Sequence, residues 1–250
     1  VQEIAQYFAD QGYRAGELWG LGYQGDQCDL LADPTIRSGE SHTATANVPD
    51  LRAFVDAVMA YTGARKVDIV AHSLGVTVAR EWMRQDRSYP KVRHLVGIAG
   101  PEHGIINCSP NPLNYFQLPS QGGFTPDAPV CQQLGSPDTP FLQRLNERET
   151  KRPTRYLMLR NADADFVYIS GQDGVIPGVP AEDSFGNPND FSESPFLDGA
   201  CNVSLEGQGQ YDPILGTGHL GIAASPETHQ LAFEFVSSNR SPCGPGRSHR

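Results

Sequence analysis

Apolar positions along this chain fall into two rhythms. Ile4, Tyr7 and Phe8 recur at the spacing of one helical face and Gly12 stands where such a helix would stop, so residues 1–13 read as the tail of a helix. Leu51, Phe54, Val55, Val58 and Met59 make a longer helical stripe that ends at Gly63. The other rhythm is short and β-branched: Lys66 to Ala71 and Val92 to Ala99 are apolar runs of strand length, as are Tyr156 to Leu159 and Cys201 to Leu205. A further short strand is expected over Glu17 to Leu21. Helices are expected over Val76 to Arg84, Phe141 to Asn146 and Leu231 to Val236. Strands alternating with helices predict an α/β fold, a mainly parallel sheet with helices on both faces.

A chain of 250 residues suits a single domain of this kind, 1–250, and no internal repeat or low-complexity tract divides it. The 26 glycines and 20 prolines concentrate near 101–138 and 171–199, which read as two long loop insertions, and loops of that length usually serve as covers or binding surfaces. The last residues, Ser241 to Arg250, read as a loose tail. No stretch approaches the apolar run that a membrane span requires. With 19 basic against 29 acidic residues the net charge is −10, and no dense Lys/Arg block offers a footprint for phosphates, so nucleic acid is excluded as a partner.

The chemistry begins at Ala71-His72-Ser73-Leu74-Gly75. A serine hydroxyl is a weak nucleophile until a base takes its proton, and it must stand clear of its own backbone. Small residues two positions either side of Ser73 allow a sharp strand-to-helix turn that exposes it, and a helix opening there aims backbone N–H groups, Leu74 above all, at a developing negative charge. The context, a β-branched strand before and a helix after, is what this motif needs.

Seven histidines compete for the role of base. Only His219, in Gly216-Thr217-Gly218-His219-Leu220-Gly221, follows the last strand in a Gly-rich turn before the final helix, where parallel sheets collect their ligands. His72 flanks the serine, but its side chain is expected to project away and pack. His103 follows the next strand, and a structural role suits it better than a place in the pocket. The base needs a carboxylate to fix its tautomer. Asp163 and Asp165 follow the Tyr156 strand and Asp173 lies farther on; with any of them the chain order Ser, Asp, His is that of the α/β-hydrolases.

At this point the sequence resembles a family. The run Lys66-Val-Asp-Ile-Val-Ala-His-Ser-Leu-Gly75 is similar to the nucleophile turn of the small bacterial class 2 lipases, which also carry Ala in place of the first glycine. The resemblance continues, in the family's order, through Asn161-Ala-Asp-Ala-Asp-Phe-Val167, Leu197-Asp-Gly-Ala-Cys-Asn-Val203 and Gly218-His-Leu-Gly-Ile222. It implies an α/β-hydrolase fold with Ser73, Asp165 and His219 as the triad, Asp165 matching the family's acid better than Asp163. In its two insertions the chain looks more like the related extracellular polyhydroxybutyrate depolymerases of lipase type. The family opens with a strand and a His-Gly loop that supplies a second oxyanion donor; nothing like it precedes Val1, so that strand and loop are expected to be lacking here.

The function these residues predict is carboxylic ester hydrolysis, lipase-like, through an acyl-enzyme with no metal or organic cofactor. The substrate is an ester, lipid or polyester, and depolymerisation of a polyhydroxyalkanoate-type polyester is the nearest rival; Tyr115, Phe116 and Phe124 suit either a lid or a polymer-binding rim, or simple packing. A transacylase would use the same triad, and from another class the chain could be a non-catalytic fragment or binding scaffold. Five cysteines in loop-rich and terminal places, without a Cys-x-x-Cys pattern, predict disulfides and a secreted protein. Placement pairs Cys108 with Cys131 across the first insertion and Cys201 with Cys243 across the tail, leaving Cys28 over. Asn107-Cys-Ser and Asn202-Val-Ser fit the glycosylation pattern but receive no role.

Overall fold

The structure, a computed structural model, describes residues 2–22, 43–108, 124–162, 165, 167–168, 190–212, 218–238 and 242–243. Its four strands are β1 (Val67–His72), β2 (Val92–Ile98), β3 (Arg155–Asn161) and β4 (Cys201–Leu205), joined side by side in that order. Every pairing is parallel, and the register aligns His72 with Ile98, Ile98 with Leu159, and Asn161 with Leu205. The carboxyl ends of all four strands therefore open on one edge of the sheet.

Alternation along the strands sorts the core into two layers. On one face, Leu95 of β2 with Tyr156 and Met158 of β3 packs with Val55 of α2 (Ala44–Thr62) and Val76, Ala79, Trp82 and Met83 of α3 (Leu74–Gln85). On the other, Val96, Ile98, Leu157 and Leu159 meet Phe8 of α1 (Gln2–Asp10), Ile222 of α6 (Gly218–Ala224) and Ala232, Phe235 and Val236 of α7 (Pro226–Ser238). α4 (Pro129–Leu134) and α5 (Pro140–Asn146) lie between β2 and β3 in the chain and add Val130, Leu134 and Leu142 to that second layer. Leu95, Leu157 and Leu159 are fully buried, each worth about 1.5–3 kcal/mol relative to exposure. Helices on both faces are what near-continuous apolar strands require. Gly97 is where the closest approach occurs: a Cβ there would stand 2.9 Å from Val76 Cγ1 and 2.9 Å from Met158 Sδ, so its absence lets α3 settle on the sheet.

Three expectations are corrected. No strand forms over Glu17 to Leu21. Instead Ala15–Glu17 is a 3-10 turn in which Glu17 accepts the Arg14 N–H, and Trp19 folds back to donate to the Gly16 carbonyl while its ring meets Tyr61 edge-on at 5.4 Å. Local bonds win there over a ladder to β1. The helix expected from Leu51 begins at Ala44 and runs across Pro49. Its first turn is held by partners that periodicity does not show: Thr43 Oγ1 accepts from Ala46 N, and Gln133 of α4 accepts from Ala44 N and donates to Thr45. Third, His219 stands in the first turn of α6, not in a flexible loop. Gly221 explains that helix, because a Cβ there would collide with the Gln208 carbonyl and α6 could not lie against the 3-10 turn Gln208–Tyr211.

Both disulfides form as expected, Cys108 with Cys131 and Cys201 with Cys243. The first joins the turn ending at Cys108 to α4 and the second ties Cys243, beyond α7, back to β4; such cross-links persist in oxidising compartments. Cys28 and residues 171–189 of the second insertion lie outside the described residues. Among the described residues no helix is long and apolar enough to cross a membrane.

Candidate active site

Ser73 sits between β1 and α3 with φ 54° and ψ −135°, a conformation unfavourable for a residue with a side chain. It is held there by its N–H, which donates to the Ile98 carbonyl at the end of β2 at 2.8 Å. Strain kept by the surrounding ladder is what lifts the hydroxyl off the end of the strand. Leu74 and Gly75 open α3, so their N–H groups have no acceptor within the helix and point into the space before it.

The base and acid candidates converge on this serine. His219 Nε2 is 2.9 Å from Ser73 Oγ, and His219 Nδ1 is 3.4 Å from Asp165 Oδ2. Asp165 follows β3 in a tight turn: its Oδ1 accepts the Val167 N–H at 2.9 Å and its carbonyl accepts the Tyr168 N–H at 3.1 Å. The acid is 1% exposed and the histidine 4%, while Ser73 is half-buried. A serine reachable from solvent thus backs onto a histidine and a carboxylate sealed from it. Asp163 and Asp173 lie outside the described residues, as do Tyr115 and Phe116. Phe124 packs against the core.

His72 packs as expected, and what it packs against is His219. Its ring lies 4.9 Å from that of His219, and its Nε2–H donates to the His219 carbonyl at 2.8 Å. Burial, with the neighbouring His219 adding to it, pushes its pKa down to about 3. His72 therefore stays neutral beside His219. Sequence reasoning missed this contact, because nothing in the chain pattern tells which backbone a buried histidine will face.

His103 has a structural place. Its Nε2 bonds Glu149 Oε1 at 2.9 Å, its Nδ1 the Ser194 carbonyl at 3.2 Å, and its backbone N–H the Ser194 hydroxyl. Beside it runs a buried network: Arg80 of α3 pairs with Glu102, Thr77 donates to Glu102 at 3.2 Å, and Asn146 of α5 donates to the Glu102 carbonyl at 2.7 Å. This network fastens α3, the helix that follows Ser73, to the loop after β2. The Asn202 amide is engaged, accepting from Leu197 N and donating to the Leu197 carbonyl. Among the described residues no three His, Cys, Asp or Glu side chains gather as metal ligands.

Comparison with known proteins gives this geometry a family context. The family model for lipases of class 2 matches residues 1–175. No curated protein matches the sequence. Among solved structures the chain is similar to phospholipase PlaB from Legionella pneumophila, with a TM-score of 0.50 and 16% identity over 65% of this chain and 36% of that one. It is also similar to Aspergillus fumigatus lipase B, TM-score 0.48 and 17% identity over 78% and 42%, and to the mature form of Bacillus licheniformis lipase BlEst2, TM-score 0.43 and 15% identity over 80% and 74%. The chain spans well under half the length of the first two. At 16% identity the likeness to the phospholipase is one of fold.

Proposed function

The chain belongs to the class 2 lipase family, and from that membership we infer that it is a serine carboxylic ester hydrolase in which Ser73 is the nucleophile, His219 its base and Asp165 the acid that orients the histidine. The family match includes Ser73 and Asp165 and stops short of His219. The observation that carries the reading is the 2.9 Å contact between Ser73 Oγ and His219 Nε2 at a serine held with positive φ between a strand and a helix.

In the reaction, Ser73 Oγ attacks the ester carbonyl as its proton passes to His219 Nε2. Negative charge gathers on the carbonyl oxygen, where the Leu74 N–H at the start of α3 donates to it and the helix dipole adds to the effect. Asp165 accepts from Nδ1–H, which keeps Nε2 unprotonated before the attack and stabilises the imidazolium after it. The proton on Nε2 then goes to the departing alcohol, leaving an acyl-serine. Water repeats the sequence: His219 takes its proton, the hydroxide oxygen attacks the acyl carbon, and the carboxylic acid leaves as Ser73 recovers its hydrogen.

The substrate class is an acyl ester of lipid type, and the two disulfides favour an exported protein. Ser73→Ala tests the reading. Hydrolysis of p-nitrophenyl butyrate should fall by about 10³-fold or more with unfolding unchanged; turnover near that of the parent would refute it.

A further inference from the structure

We propose that Tyr168 is a positioning residue for the triad, the strut that fixes the acid turn against the nucleophile turn; the proposal rests on the triad reading above. Tyr168 is 2% exposed, and its hydroxyl donates to the Ala99 carbonyl at 2.5 Å. A buried hydroxyl needs a partner, and the identity of this one is informative. Ala99 has φ 47°, unusual for a residue with a side chain, and directly follows Ile98, whose carbonyl receives the Ser73 N–H. The Ala99 N–H continues the sheet by donating to the Leu159 carbonyl. Its left-handed turn comes where the strand ends, and the carbonyl beyond that turn is the one Tyr168 binds.

At its other end Tyr168 is bound to the acid. Its backbone N–H donates to the Asp165 carbonyl, its carbonyl accepts the Phe191 N–H, and the Val167 carbonyl beside it accepts the Ile106 N–H. Its ring stands 5.6 Å from the His219 ring. The contacts close a circuit: Ser73 N–H to Ile98, Ala99 to the Tyr168 hydroxyl, Tyr168 N–H to Asp165, Asp165 to His219, and His219 to Ser73 Oγ. Nucleophile and acid come from different strands, β1 and β3, and β2 lies between them. A link across the end of β2 fixes the acid turn against the nucleophile turn beyond what the ladders do, and the Tyr168 hydroxyl makes that link with a side chain. The phenol touches no reacting atom; its effect passes through Asp165 and His219.

The test is a double-mutant cycle on p-nitrophenyl butyrate hydrolysis by the full chain: parent, Tyr168→Phe, Asp165→Asn and both together, with Ser73→Ala as control and Tm recorded for each. Tyr168→Phe keeps the ring and loses only the donor. The expected result is a kcat about tenfold lower with KM nearly unchanged, and a much smaller loss when Asp165 is already Asn, since the strut then has no acid left to aim. An equal loss in both backgrounds, no loss, or a change confined to KM would overturn the proposal. Should Tyr168→Phe not fold, p-aminophenylalanine at 168, which keeps ring and a weaker donor, reads the same effect: kcat reduced severalfold supports the strut, and an unchanged kcat overturns it. Hydrolysis retained in Ser73→Ala would sink the triad reading and this proposal with it. Loss in Ser73→Ala with no coupling between positions 168 and 165 would sink this proposal alone.

Discussion

His219 with Asp165, at the carboxyl ends of the strands, and His103 with Glu149, beside the loop after β2, are built from the same two residue types. Their surroundings differ in what faces the ring's second nitrogen. His103 has a carboxylate at Nε2 and a backbone carbonyl at Nδ1, two acceptors that require two N–H donors and so an imidazolium. Burial works against that charge, but the bond to Glu149 and its negative charge outweigh it and raise the pKa. Glu149 is lowered in return: burial opposes its charge, while the bonds from His103 and from the Asp198 N–H favour it. His219 instead has a hydroxyl at Nε2, a group that can donate a proton as readily as accept one. A histidine fixed between two acceptors is a brace. A histidine between a carboxylate and a hydroxyl can pass a proton, and on the reading proposed above that distinction, more than the presence of a His–carboxylate pair, separates chemistry from architecture.

The sharpest way to break this contrast is to remove the carboxylate's charge on the catalytic side. Asp165→Asn should lower kcat by about 10³–10⁴-fold by allowing the wrong tautomer of His219, with little change in unfolding. A mild loss would mean that another carboxylate serves the base. On the structural side the effects should exchange. Glu102→Gln leaves Arg80 buried without its counter-charge, a change that should cost about 3–5 kcal/mol in urea unfolding, while turnover per folded molecule stays near that of the parent. A loss of kcat without a loss of stability would put Glu102 in the site instead.

The smallest expected effect is in the pH dependence of the brace. His103, with its pKa raised above the ordinary 6.5, contributes stability that is whole below 6.5 and is lost as pH rises through the raised value. Glu149, lowered from 4.5, contributes stability that is whole above 4.5 and is lost as pH falls through the lowered value. The Tm difference between the parent and His103→Gln should therefore be greatest between pH 4.5 and 6.5 and shrink on both sides. A difference that is flat with pH would show that the pair is not charged in the folded protein.

How far the sequence alone reaches follows the same division. The strand-turn-helix around Ser73 and the parallel strands are legible because they rest on local pattern: β-branched runs and small residues beside the serine. Both disulfides are legible from placement. What escapes is set by contacts between distant segments. The first turn of α2 depends on Gln133, 89 residues away from Ala44. The helix under His219 is hidden by glycines that weaken any helical pattern, one of them, Gly221, required by the closeness of Gln208. The Tyr168 hydroxyl reaches a carbonyl 69 residues away, and the His72 ring bonds a carbonyl 147 residues away. The expected strand at Glu17 fails for the opposite reason, local side-chain bonds that an apolar alternation does not reveal.

The central claim, that Ser73 is the nucleophile activated by His219, is tested most directly by trapping it. A p-nitrophenyl alkylphosphonate reacts with an activated serine and stays bound, so intact mass and peptide mapping after incubation report which residue attacked. The account predicts one adduct per chain, on the peptide containing Ser73, and no adduct on the Ser73→Ala protein. An adduct on any other residue, or ester hydrolysis that persists in a protein the phosphonate never labels, would contradict it.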